Sequence, residues 1–284
     1  MSEPPRSTVD EIEEALVGHW SHFGRWIRGA LVEDGGSLRY ETPITELPYN
    51  GVIRTRIEGD VDAVIERVLA SFAMREVACL WWHHPSATPA DLGERLTAHG
   101  LRLVEEAVGM SLELRLRPRV EAADSAVVYA EVLTDELTQS YAELIFDYWE
   151  VPLKSRALVG ELNRYWTPGR AQIHRWVALD ESGRPIGKAL LSLAAPEHVA
   201  AIYGMSVRPE ARGKGVASTL TEILLDRAES VGCERVVLHA SEMAIGLYER
   251  AGFVRRCAMP VYANAPLWTK RGKATGADTS ASTR

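Results

Sequence analysis

With 284 residues, 46% of them hydrophobic and 25% charged, the chain has the make-up of a globular protein with room for one large or two ordinary domains. Its formal charge of −7 argues against general nucleic-acid binding, and no apolar run reaches the roughly 20 residues that a membrane helix requires. Three cysteines (Cys79, Cys233 and Cys257) follow no disulfide or ligand spacing, so reduced core thiols in a cytoplasm are the default expectation.

In chain order, residues 10–17 read as an acidic helix with no signal peptide ahead of it. Residues 79–85 form an apolar run that ends on Pro85, and an alternating pattern runs from Met110 to Leu116. Up to Arg119 there are 13 basic and 19 acidic residues, against 19 and 20 in the remainder, so the negative excess lies in the first part. The segment from Pro118 to Ser125 is the best linker candidate. Residues 126–132 predict a strand, and Thr134 caps a helix over 135–148 with Leu137, Tyr141, Leu144, Ile145 and Tyr148 on one face. Pro152 starts a second helix that ends near Tyr165. Strands follow over 173–179, 186–193 and 199–207, then a helix over 218–231, a strand over 235–239, a helix over 243–251 and a strand over 254–262. The tail beyond Trp268 is small and polar and is expected to be disordered.

The chemistry concentrates where the strand over 199–207 runs into Arg212-Gly213-Lys214-Gly215-Val216-Ala217 and a helix. Two glycines permit a tight turn with successive N–H groups exposed. The helix start adds unpaired N–H groups and a positive dipole end, and Arg212 and Lys214 add charge. That combination suits a diphosphate. The same turn also reads as an ordinary solvated connection. The spacing is not that of a Walker A loop, and the dinucleotide fingerprint is met only in part, because a third glycine is missing.

Val207-Arg208-Pro209-Glu210-Ala211-Arg212-Gly213-Lys214-Gly215-Val216-Ala217 resembles motif A of the GNAT superfamily of N-acetyltransferases. Leu247-Tyr248-Glu249, followed by Gly252 and Phe253, resembles motif B. The gap between them fits one helix and one strand. The resemblance implies an α/β mixed-sheet fold, with acetyl-CoA as the acyl donor. It also implies that the N–H groups of Arg212, Gly213, Lys214, Gly215 and Val216 bind the diphosphate, beside Ala217 and Ser218. Met205, Ser206 and Val207 would pair with the pantetheine arm, with an N–H near Met205 polarising the thioester. Tyr248 matches the acid that protonates the departing thiolate; its bland reading is a core tyrosine on an apolar helix face. Ser241 stands where the superfamily often has a cofactor-contacting asparagine; it keeps a hydroxyl and loses the amide. No acid lies in the strand over 199–207, which offers only Tyr203, so Glu197, Glu242, Glu150 and His174 are base candidates on chemistry alone.

The first part of the chain loosely echoes the second. Residues 79–85 match the strand before the loop, Thr88-Pro89-Ala90-Asp91 stands in place of the glycine loop, and residues 96–101 echo motif B. The expectation is therefore two GNAT-like halves in tandem: a degenerate copy over 1–119, a catalytic copy over 120–268, and a tail over 269–284. The two histidine pairs, His19 with His22 and His83 with His84, lack partners at zinc-ligand spacing and are expected at the surface or at caps, with no metal site. Trp149 and Trp166, together with residues 146–152, are expected on the acceptor side. No cysteine sits in a nucleophile setting. The expected activity is N-acetylation of a small-molecule primary amine by direct attack. The alternatives are an acyl-CoA-binding sensor without turnover and, further off, a nicotinamide-dependent dehydrogenase.

Overall fold

The computed structural model describes residues 7–118 and 126–265. Helix α1 (Thr8–Arg25) opens the chain, and Ser7 and Asp10 close a capping box at its start. Three strands follow, β1 (Ala30–Asp34), β2 (Ser37–Glu41) and β3 (Gly51–Thr55). Next come helix α2 (Val61–Met74), strand β4 (Leu80–Trp82), helix α3 (Leu92–Ala98) and strand β5 (Arg102–Glu113). After the undescribed segment 119–125, which contains most of the linker candidate, the order is β6 (Val128–Glu131), α4 (Asp135–Tyr148), α5 (Leu153–Tyr165) and the short α6 (Pro168–Ala171). It continues as β7 (Ile173–Leu179), β8 (Pro185–Ser192), β9 (Val199–Val207), α7 (Val216–Ser230), β10 (Arg235–Ala240), α8 (Ile245–Arg250) and β11 (Val254–Ala263).

Local sequence accounts for most of these elements. The side chain of Thr134 accepts the Leu137 N–H at the start of α4, whose Tyr141, Ala142, Leu144 and Ile145 are buried on one face. Every residue of β8 is buried, and so are the first four of β9, which is why both read as continuous apolar runs rather than alternating ones. Motif B is less helical than expected: α8 begins at Ile245, after a turn closed by hydrogen bonds from the Ala244 and Ile245 N–H groups to the Ser241 carbonyl. The described residues contain the expected C-terminal order of elements, with α6 added.

Among the described residues all eleven strands join one sheet, in the order β1-β2-β3-β4-β11-β5-β10-β9-β8-β7-β6. The pairs β3 with β4 and β9 with β10 are parallel, and the others are antiparallel. The succession strand-strand-strand-helix-strand-helix-strand therefore occurs twice, as β1 to β5 and as β7 to β11. Each succession gives its last strand to the other: β5 lies against β10, and β11 lies against β4. The central pair β5 and β11 then joins the two sides along nine paired positions, from Val254 opposite Ser111 to Ala263 opposite Arg102.

One expectation is corrected here. The run over 79–85 contains β4, which occupies the place of β10 rather than that of β9. The place of β9 belongs to β3, and the helix and strand that follow it are α2 and β4. The loop equivalent to Arg212-Gly213-Lys214-Gly215 is thus Ile57-Glu58-Gly59-Asp60, not Thr88-Pro89-Ala90-Asp91. An apolar run before a proline is too common a pattern to fix the frame.

Helices cover both faces. α1, α4 and α5 pack on one, with Leu16, Phe23, Trp26, Tyr141 and Val159 in a shared core. α2 and α3 cover one end of the other face, and α7 and α8 cover its other end. α1 crosses between the two repeats: Ile12 and Ala15 pack on Val199, Ala201 and Val237, and Glu11 pairs with Arg235.

Candidate active site

β9 and β10 are paired from Val199 with Arg235 to Ile202 with Leu238. Beyond that point β9 stays on β8 and β10 stays on β5, so the strands part and the edge of β9 from Tyr203 to Val207 faces a cleft. β9 also bulges there. Leu190 opposes Tyr203 and Lys188 opposes Ser206, which leaves Gly204 and Met205 outside the register of β8. Gly204 has φ +61°, a left-handed conformation that a residue without Cβ adopts at no steric cost.

The expected phosphate loop closes one end of this cleft. After a single turn of 3₁₀ helix at Pro209, Arg212 is extended, and Gly213 and Gly215 take φ +74° and +81°. Nothing lies within 4 Å of a Cβ built on either glycine, so backbone conformation rather than crowding calls for glycine there. Gly215 is the N-cap of α7 and supplies no side-chain acceptor, so the first N–H groups of the helix, including those of Val216, Ala217 and Ser218, are not capped by it. Arg212, Lys214 and Ser218 are exposed beside them. Arg208 ties the loop to α4, with its Nη1 at 2.6 Å from Asp147 Oδ2 and its Nε donating to the Pro185 carbonyl.

On the far wall, Ser241 follows the last residue of β10, and Tyr248 is buried on α8 with its ring edge-on to Phe253 at 5.6 Å. Met205, Val207, Val216 and Tyr248 belong to one apolar cluster. Burial pushes the Tyr248 phenol well above its ordinary range, and the neighbouring Tyr148 adds to this. The group therefore holds its proton throughout the neutral range.

A second set of groups meets the bulge on the face carrying α1 and α4. His19 of α1 stacks on Tyr203 at 4.2 Å, and Tyr203 lies parallel to His239 at 5.8 Å. Trp166 and Trp82 flank these rings, at 5.9 Å from His19 and 5.5 Å from His239. Tyr203 Oη, both ring nitrogens of His239 and Nδ1 of His19 are buried without a protein hydrogen-bond partner, the signature of polar atoms that water or a ligand satisfies. Burial drives His239 down to about 3, and His19 well below its ordinary value, so both rings are neutral. Beside them Lys188 Nζ donates to the Gly204 carbonyl at 2.6 Å and lies 5.2 Å from the centre of the Tyr141 ring. Burial lowers Lys188 to about 7. Arg175 reaches the same ring at 5.3 Å.

The histidine expectation is corrected: His19, His22 and His84 are buried, not at the surface, because α1 lies across the sheet instead of beside it. The base candidates do not converge. His174 is engaged at 2.7 Å with Glu131, and Glu197 lies at the opposite end of β9 from the loop. Glu242 is exposed beyond β10. Glu150, with φ +47°, lines a cavity of about 490 Å³ with Phe146, Asp147, Pro152 and Arg156 at the turn between α4 and α5. Lys188, Arg175 and the stacked histidines escaped sequence reasoning. The available signal was a lone lysine in the apolar run over 186–193, in a chain with five lysines in all.

Comparison with known proteins agrees with this geometry. Residues 135–253 match the model of the acetyltransferase (GNAT) family. The mycothiol acetyltransferase of Thermobispora bispora is 29% identical over 246 residues, covering 84% of this chain and 72% of its own length. That of Geodermatophilus obscurus is 36% identical over 63 residues, covering 21% of this chain and only 20% of its own length. Among solved structures, a GCN5-related N-acetyltransferase from Kribbella flavida superposes with a TM-score of 0.65 at 16% identity, covering 91% of this chain and 96% of that one. A tandem GNAT protein from the clavulanic acid biosynthesis pathway has a TM-score of 0.55 at 14% identity, over 90% and 94% of the two chains. The parted strands, the glycine loop at the start of α7 and the family match together give residues 135–253 the character of a GNAT acetyltransferase domain.

Proposed function

We propose that the chain transfers an acetyl group from acetyl-CoA to a primary amine of a small molecule, using the cleft between β9 and β10. The parting of these strands after Ile202 and Leu238, with the uncapped start of α7 at its mouth, is the observation that carries the reading. The diphosphate sits on the N–H groups from Arg212 to Val216 and on the first turn of α7, with Ala217 and Ser218 alongside. The pantetheine arm lies along Met205, Ser206 and Val207, and Ser241 closes the opposite wall.

The acceptor amine attacks the thioester carbonyl directly. The N–C bond forms, the negative charge on the carbonyl oxygen is met by the Met205 N–H, and the C–S bond then breaks. Tyr248 enters the step protonated and hydrogen-bonds the departing thiolate. Its proton passes to the sulfur, giving the free thiol, and the proton shed by the new ammonium returns through water to the phenol. A phenol of raised pKa is a weak acid, so its main contribution is hydrogen bonding to the sulfur. The acceptor enters from the face of α1 and α4, past the turn over 146–152 and the rings of Tyr203, His239 and Trp166. Those neutral, unpartnered polar groups favour a small polar amine over a strongly acidic partner. The N-terminal repeat, over 1–119, is read as a degenerate copy of the catalytic one over 120–268.

Titration calorimetry with acetyl-CoA, followed by thiol release across a panel of primary amines, tests this. Tyr248→Phe is expected to lower kcat about 10- to 100-fold while the Kd for acetyl-CoA changes by less than about twofold. Binding without thiol release from any amine points instead to an acyl-CoA-binding module, and no binding at all sinks the acetyl-transfer reading.

A further inference from the structure

Lys188 has no obvious business inside the molecule. It is the one charged residue in β8, it is almost fully buried, and its pairing positions are Val177 on β7 and Ser206 on β9. The Tyr141 ring of α4 lies 5.2 Å from its amine, and the Arg175 guanidinium of β7 meets the same ring at 5.3 Å. Neither is a counter-ion. Burying an amine without a carboxylate is unfavourable, and a methionine or leucine would fill the same space without that cost. What the amine does make is one strong contact, with the Gly204 carbonyl at 2.6 Å.

That carbonyl belongs to the peptide group joining Gly204 to Met205, which lies in the bulge. Neither residue has a register partner on β8, and pairing with β10 has already ended at Ile202. A peptide group is planar and trans, so its N–H points opposite to its carbonyl. Holding the Gly204 oxygen toward Lys188 therefore turns the Met205 N–H away from Lys188. A donor on the carbonyl also polarises the amide and makes its N–H a better donor in turn. We propose that Lys188 is a positioning residue for acyl transfer: by anchoring the Gly204 carbonyl it aims the Met205 N–H at the thioester carbonyl of bound acetyl-CoA. This rests on the reading of the cleft as the acetyl-CoA site. Gly204, at φ +61°, is the residue that lets the peptide adopt this orientation. Lowered to about 7 by burial, the amine carries part of a positive charge at neutral pH, which reinforces the pull on the carbonyl.

Infrared difference spectroscopy of acetyl-CoA labelled with ¹³C at the thioester carbonyl, bound to the full chain, reads the polarisation without any acceptor. The carbonyl stretch is expected at lower frequency when bound than when free. In Lys188→Met most of that shift disappears while the Kd for acetyl-CoA stays within about threefold, and kcat with the best amine of the panel falls about tenfold or more. Lys188→Arg, which keeps a cationic donor, retains most of the shift. Should the methionine variant fail to fold, Lys188→Gln makes the same comparison, with an intermediate shift expected. A shift equally large in the methionine or glutamine variant overturns the role of Lys188 and leaves the cleft reading standing. Failure of the intact protein to bind acetyl-CoA removes both.

Discussion

The two repeats build the same junction and finish it differently. In each, a strand pairs in parallel with the next for a few residues and then parts from it: β3 and β4 after Val52 and Trp81, β9 and β10 after Ile202 and Leu238. Each first strand bulges close to the parting point, since Leu38 opposes Arg54 while Arg39 opposes Val52, much as β9 bulges at Gly204. Each then enters a helix through a short loop. At α2 the N-cap is Asp60, whose carboxylate accepts the Ala63 N–H at 3.1 Å, with Glu58 and Asp62 close by in sequence. At α7 the N-cap is Gly215, which offers no acceptor, with Lys214 and Arg212 beside it. A helix start that satisfies itself with its own carboxylate has neither the free N–H groups nor the field to hold a phosphate. One left open has both. The two helix starts thus differ in their cap and in the sign of the charges beside it.

The sharpest way to break this contrast is to give α7 the cap of α2. Gly215→Asp places a carboxylate at the mouth of the cleft and a Cβ at φ +81°, so acetyl-CoA affinity is expected to fall roughly a hundredfold or more, about 3 kcal/mol. Calorimetry on the variant, with its far-ultraviolet circular dichroism unchanged, checks this. An unaltered Kd shows that the loop at α7 does not hold the diphosphate.

How much of this was legible beforehand follows the same divide. The C-terminal succession was readable because its helices are amphipathic, as α4 is with Thr134 at its cap and Tyr141 on its buried face, and because β8 and β9 are largely apolar. The loop residues are local in sequence, so their shared position at one end of the cleft was readable too. The N-terminal frame was not, because β4 has only three residues and α2 lacks a glycine loop to announce it. The exchange of β5 and β11 left no local trace either, since a last strand looks the same whichever neighbour it joins. The stack of His19, Tyr203 and His239 draws on three elements that are far apart in the chain. Lys188 meets Gly204 only through a bulge that no periodicity reports.

The buried histidines sharpen the comparison from the side of stability, because His84 lies in the N-terminal repeat and His22 on the helix α1 that crosses between the two. Burial is the main cause that lowers each from 6.5 to about 4. Between those values the unfolded chain binds protons that the folded chain refuses, so stability is intact above about 6.5 and is lost as the pH falls toward 4. At pH 5 the loss is about 2 kcal/mol for each ring. Denaturant melts at pH 7 and pH 5 are expected to show this fall, and to show less of it in His84→Gln. Equal melts at the two pH values would mean that these rings are not held neutral.

The smallest effect tests the other side of the cap argument. Asp60→Ala removes the acceptor of the Ala63 N–H and is expected to cost about 1 kcal/mol, a drop in Tm of roughly 2 to 4 °C for a domain of this size. The loss stays in the N-terminal repeat, so the Kd for acetyl-CoA at α7 holds within about twofold. The variant also leaves the start of α2 as open as that of α7, but with Ile57 and Gly59 at the positions that match Arg212 and Lys214, and with Glu58 still present. If an open helix start alone made a phosphate site, the stoichiometry of acetyl-CoA binding would rise from one to two. It is expected to remain one, because the charge of Arg212 and Lys214 and the turn at Gly213 are needed alongside the free N–H groups.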